Sequence, residues 1–359
     1  MKKILLSAAA LMCGTLLFAQ LNNSDVDQIG SGNTSDVDQI GSNNQSQLNQ
    51  GYDGSGVYYN SNNSDATVYQ EGTDNSSQAN QYGYGVNSAS IRQEGETNYS
   101  FLDMNSNGGT STATIDQLGD RNQSYAQQWG FNHTVTVTQT GDENMSTSFQ
   151  YYGSDGNIGE ITQTGNNNTS TQWQDSSFNE STVFQVGDLN NSDVHQLGGD
   201  GNYSLMWQYG DSNVSTVEQT GNNNTSYVRQ GAWFDAETAD SDNNLSTVTQ
   251  TGNGNWQSTD QYTPALGGSD NNISDVNQFG DGNSSFTAQG GSFNNSDVDQ
   301  LGDDNGSEVI QNGLQQMSIV LQDGNLNMSD VSQSGNNHMS NVNQLGNTNT
   351  STVTQSQPY

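Results

Sequence analysis

The side chains able to do chemistry in this sequence are few and scattered. Three histidines, His133, His195 and His338, stand far apart, and the one cysteine, Cys13, lies in an apolar N-terminal run. Acid–base catalysis needs a titratable group held against its partner, and a nucleophile needs a base beside it. No spacing of that kind is present, nor a phosphate-cradling glycine loop or a zinc-ligand pattern. Acidic stretches such as Gly302-Asp303-Asp304-Asn305 offer carboxylates to calcium, but they lack the glycine-aspartate nonapeptide of calcium-binding β-rolls. The expectation is a protein that is not an enzyme, with no catalytic residues, cofactor or metal.

The chemistry that is plentiful is that of amides, and it is periodic. Residues Asn22, Ser24, Val26, Gln28 and Gly30 recur eleven positions later as Asn33, Ser35, Val37, Gln39 and Gly41. The unit N-x-S-x-V-x-Q-x-G-x-x runs to Gln355 in 28 copies, and its glutamine is replaced only once, by Met104. Of the 27 intervals between successive copies 20 are eleven residues, and the other seven are longer. The position two before the glutamine is aliphatic in 24 copies, with Ser148, Gln172, Thr259 and Thr287 as exceptions. Asparagine opens 23 copies and glycine stands two after the glutamine in 21. Low-complexity disorder would not hold these positions in register, although composition alone points to it.

Asn, Ser, Val and Gln at alternate positions form one face of a β-strand. The glycine and the residues after it turn the chain. Two strands and two arcs make a coil of 22 residues, so the sequence predicts an all-β fold, a β-solenoid of about 14 two-strand coils built from 28 units. Stacked coils place like on like at ~4.8 Å, with amide ladders in which each side chain donates upward and accepts from below. The ladder residues include the first two copies named above, with Gln139, Asn144, Gln219, Asn224, Gln300, Asn305, Gln333, Gln344 and Asn349 as later members. His133 and His338 stand at the asparagine position and His195 faces outward. The longer intervals fall at arcs, at Gly51 to Asn63, Gly231 to Asn243 and Tyr262 to Asn271, with smaller ones near 105–110 and 151–156. Each is expected to form a surface loop.

Residues 1–20 read as a secretion signal peptide, basic at Lys2 and Lys3 and then apolar to Phe18, leaving 21–359 as the solenoid. Removing them removes both lysines and the cysteine. Three arginines then stand against 39 acids, and 3 − 39 gives −36. That charge argues against nucleic-acid binding, and no later stretch is apolar enough for membrane insertion. Outward carboxylates should repel along the stack, so acid is expected to speed assembly.

The repeat S-x-V-x-Q-x-G-x-x-N-x-S-x-x-x-Q resembles that of the curlin family, over essentially all of 22–355. The resemblance implies a structural subunit of extracellular amyloid fibres at a bacterial surface, serving biofilm matrix and cell adhesion. It also implies a homopolymer, with a nucleator subunit, a dedicated secretion pore and periplasmic chaperones as partners. The polymerisation ends are then Val26 and Gln28 at one edge and Val353 and Gln355 at the other, with no capping segment expected, and proline at Val353 and Gln355 is expected to stop growth. A monomeric adhesin or an ice-binding solenoid is the alternative. Ice binding needs regular threonine rows, and threonine flanks both sides of the glutamine only at Gln139, Gln163 and Gln250.

Overall fold

The computed structural model describes residues 21–51, 61–106, 108–231, 241–262 and 269–357. The segment read as a signal peptide and most of the three longest insertions lie outside the described residues. Among the described residues there are 30 strands and no helix, hence none long and apolar enough to cross a membrane.

The chain coils as a β-solenoid. The first sheet has 14 strands, from Asn23–Gln28 to Met339–Leu345, and the second has 14, from Thr34–Ser42 to Thr350–Ser356. Successive strands alternate between the sheets, so 14 rungs are joined by 13 stacking steps. A further pair, Gly30–Ser31 with Ser61–Asn62, forms its own small sheet. All pairing is parallel and places repeat positions on themselves, as in Val26 on Leu48, Val217 on Val248 and Gln333 on Gln355. Insertions change the sequence distance between rungs without changing this register.

Alternation of side chains puts serine, the aliphatic residue and glutamine between the sheets. Strand Ile273–Phe279 shows the pattern, with Ser274, Val276 and Gln278 buried and the residues between them partly or fully exposed. The aliphatic row forms three buried clusters rather than one. Leu48 to Ile161 is the first, Val183 to Val248 the second and Val276 to Val342 the third. The polar substitutes Ser148 and Gln172 stack on each other at the first break, and Thr259 and Thr287 at the second. Gln172 fits because Gly159 lies opposite it. A Cβ there would sit 2.9 Å from the Gln172 amide oxygen and 3.1 Å from the Ser148 hydroxyl.

One expected loop is absent. The insertion at 151–156 is absorbed within strand Met145–Asp155, which continues through it. Pairing with Gln123–Phe131 shifts from Gln128 on Gln150 to Gly130 on Ser154, a bulge that holds the extra residues in the sheet.

Candidate functional site: the ladders and the end rungs

The glutamines form two hydrogen-bonded columns. In the second sheet each Nε2 donates to the Oε1 of the glutamine one rung on, from Gln39 to Gln355, at 2.7–3.0 Å. The same Nε2 reaches across the coil to a backbone carbonyl, as Gln139 does to Gln123 at 3.0 Å. Each glutamine therefore ties its strand to the facing strand and to the next coil. The column has a direction, with donors pointing toward the C-terminal end.

In the first sheet the column is interrupted. Gln28 donates to Gln50 and Gln50 to Gln81, at 2.7 and 2.9 Å. Gln81 then meets the Met104 sulfur at 3.9 Å, and the buried Oε1 of Gln128 has no hydrogen-bond partner. From Gln128 the column resumes through Gln219 and Gln300 to Gln344. A buried acceptor left bare costs ~1–3 kcal/mol, and glutamine has nearly the volume of methionine. Met104→Gln is expected to stabilise the fold by about 1–2 kcal/mol, measured as a higher denaturant midpoint at unchanged slope.

The asparagines work differently from the glutamines. Asn122 Oδ1 accepts the backbone N–H of Asn144, one rung on, at 3.0 Å. Its Nδ2 donates to the arc carbonyl of Gly141 at 2.7 Å. The same oxygen contact recurs from Asn22 to Asn44, Asn33 to Ser64, Asn224 to Asn255, Asn305 to Asn327 and Asn327 to Asn349, at 3.0–3.1 Å. Other side-chain acceptors serve at this position, as Ser64 and His133 do, whereas the buried Oδ1 of Asn87 and Oε1 of Gln316 have no hydrogen-bond partner there.

The arc before each asparagine carries a feature that the repeat does not announce. Among the described residues 21 non-glycine residues have positive φ, and all but Ser176 immediately precede the asparagine position, including Leu189, Phe293 and Leu326 at φ 61°, 61° and 60°. A third ladder runs along the arcs. The residue after the arc glycine accepts the N–H of its counterpart one rung below. Asp142 thus receives Asp120, Asp188 receives Asn166, and Asp303 receives Asp281, at 2.7–3.0 Å. The signal for it is the recurrent Gly-Asp or Gly-Asn pair. The acidic arcs are thereby part of the stack, and among the described residues no group of three His, Cys, Asp or Glu is arranged to hold a metal.

Charge is handled on the outer faces. Each arginine pairs with an acid one rung on: Arg92 with Asp116 at 3.0 Å, Arg121 with Glu143 at 2.9 Å, and Arg229 with Asp260. Burial, reinforced by Asp299, holds Asp275 and Asp297 above the usual carboxylate range. Their cost to the stack falls as acid protonates them. Trp129, Tyr151, Trp173 and His195 lie in contact along the outer face of the first sheet, Tyr151 stacking on Trp173 at 5.0 Å. The hydrogen bond that His195 Nε2 donates to Asp193, 3.1 Å away, raises the His195 pKa.

His133 is fully buried, and burial lowers its pKa from 6.5 to about 4 despite a hydrogen bond to the Trp129 carbonyl. Its Nδ1 accepts the Asn157 N–H at 3.2 Å, which a protonated ring cannot do. Below pH 6.5 the unfolded chain binds a proton that the fold refuses, so stability is lost as pH falls toward about 4. Measured against His133→Asn, which removes the titrating group, the native protein is expected to lose about 3 kcal/mol or less across that window. Parallel pH–stability curves for the two proteins would contradict this.

At the ends, Val26 and Gln28 lie exposed on the first strand, and Val353 and Gln355 lie partly exposed on the last. Comparison with known proteins bears on the repeat itself. A model of the curlin associated repeat matches residues 87–119, 110–141 and 199–231. No curated protein matches the chain. The matched segments lie inside a stack whose rungs repeat the same ladder contacts on either side of them, and over those segments the chain is similar to the curlin associated repeat.

Proposed function

We propose that this chain is a structural subunit that stacks end on end with copies of itself to form an extracellular fibre of the curli type. The observation that carries the reading is the complementarity of the two outermost rungs. At the N-terminal edge, strands Asn23–Gln28 and Thr34–Ser42 present Asp25, Asp27, Asp36 and Asp38, all exposed. At the C-terminal edge, strands Met339–Leu345 and Thr350–Ser356 carry no charged residue. Joining unlike ends sets carboxylates over Asn and Thr, whereas joining two N-terminal edges sets four carboxylates against four. A contact between unlike ends does not close on itself, so it produces a filament.

The glutamine columns favour the same polarity. Gln344 and Gln355 end the columns, and each donates one bond to a carbonyl, of Met328 and Met339, at 2.8 Å. Their remaining N–H matches the Oε1 of Gln28 and Gln39 on an incoming copy. Residues 1–20 direct export, and the fibre serves matrix formation and cell adhesion with help from a nucleator, a secretion pore and chaperones, as in the curli system. The test is light scattering and electron microscopy of chain 21–359 diluted from denaturant. Unbranched fibres growing from a folded, β-rich intermediate are expected. A monomer that persists at high concentration would overturn the reading.

A further inference from the structure

We propose that the C-terminal face receives the next copy in one register, with His338 accepting the backbone N–H of that copy's Asn22, so that protonation of His338 opposes elongation. This inference rests on the end-on reading above. Strands alternate between the sheets, so the strand after Thr350–Ser356 belongs to the first sheet. The incoming Asn23–Gln28 takes that place over Met339–Leu345, and Thr34–Ser42 follows over Thr350–Ser356. Val26 then covers Val342, Gln28 covers Gln344, and Asn22 stands over His338.

Inside the chain this contact already exists. His133 occupies the same ladder position and its Nδ1 accepts the N–H of Asn157, one rung on, at 3.2 Å. The His338 ring is oriented alike. Its Nε2 lies 3.0 Å from the carbonyl of Ser334, four residues back, as His133 bonds the carbonyl of Trp129. A carbonyl only accepts, so Nε2 carries the proton and Nδ1 of the neutral ring holds the lone pair. Protonation converts that acceptor into a donor facing another donor.

Few charges compete for this ring. The arc beneath it, 313–316, and the residues Met317, Ser318 and Ile319 that follow are uncharged, as are Thr350–Ser356 and Gln357 across the coil. Asp323 lies at the far end of Met317–Asp323, and Asp330 belongs to a strand of the second sheet. From the incoming copy Asp25 and Asp27 approach. They favour the charged ring and so partly offset the lost bond. Imidazoles as a class titrate above carboxylates, so this effect and carboxylate relief are separable in pH.

The experiment is seeded elongation at about pH 8 and about pH 5.5, at matched salt, for the native chain, His338→Asn and His338→Gln. Asparagine and glutamine are both native at this ladder position, at Asn294 and Gln316. The native ratio of acid to alkaline rate is expected to be about tenfold lower than that of either variant, the effect of one charge-reversed junction bond. Equal ratios for folded variants and native chain would overturn the role of His338 while leaving end-on growth intact. Failure of the native chain to extend seeds at either pH would instead overturn the end-on reading, and this inference with it.

Discussion

A chain carrying proline at Thr352 and Thr354 is expected to fold and to stop elongating. In these parallel sheets outward residues send their N–H to the following rung, as Thr34 does to Ser64 and Met328 to Asn349. Thr352 and Thr354 share that parity, so their N–H groups face the open edge of the last strand. Proline there deletes two donors and crowds the incoming backbone, yet keeps the pairing of Thr350–Ser356 with Met328–Asn336. Elongation should fall by more than about 100-fold, the equivalent of roughly 3 kcal/mol. Added in small amounts to native chain, the variant should still dock through its own N-terminal edge and then cap the fibre. Inward residues send their N–H the other way, so proline at Val353 and Gln355 would also break the last strand's own pairing. Growth of the outward variant at the native rate would show that this edge is not the growing surface.

Replacing Gly165 with alanine is expected to cost about 4 kcal/mol or more. Gly165 has φ +113°, and an added Cβ would meet the Gly187 carbonyl oxygen at 2.1 Å and its carbon at 2.7 Å. Both atoms are backbone of the next arc, itself stacked on Gly210, so neither can yield without moving the rungs beyond it. Gly254 provides the contrast within the same molecule. It also has positive φ, +65°, but an added Cβ meets nothing within 4 Å. Gly254→Ala therefore carries only backbone strain, about 1 kcal/mol. Comparing the denaturant midpoints of the two variants isolates the stacking clash. Equal losses would mean that close arc approach is not what glycine is for.

Much of this arrangement is written in the period of the repeat. Alternation fixes which face is inward, so the burial of Ser274, Val276 and Gln278 follows directly, and the 22-residue coil follows from two units. The breaks in the aliphatic row at Ser148, Gln172, Thr259 and Thr287 were also visible as exceptions. Their effect was not, because dividing the core into three clusters depends on which exceptions stack. The asparagine ladder holds more than the repeat shows. Asn and Gln have the same functional group, but asparagine is one methylene shorter and sits beside an arc, so its oxygen accepts the backbone N–H of the next rung as well as, in rungs such as Asn122–Asn144 and Asn305–Asn327, that rung's side-chain amide. The left-handed residue before it follows from arc geometry, and neither Leu189 nor Phe293 advertises that conformation. The insertion at 151–156 read as a loop, since residue count alone does not separate a loop from a bulge.

The glutamine columns suggest why the fold and the proposed assembly share one set of contacts. Within these columns each interior amide is satisfied by the rungs on both sides of it except beside Met104, and the end rungs lack one side. Adding a copy supplies the missing partner at Gln28, Gln39, Gln344 and Gln355 together. The junction would then be equivalent to any internal step, apart from the histidine at position 338.

The most direct test of end-on stacking is the mass per unit length of the fibres, measured by dark-field scanning transmission microscopy. Fourteen rungs per chain at ~4.8 Å each give one chain per about 67 Å of filament. That value, or its integer multiples for bundled filaments, is the expected result. One chain per ~4.8 Å or ~10 Å, as in fibres to which each molecule adds only one or two strands along the axis, would contradict it.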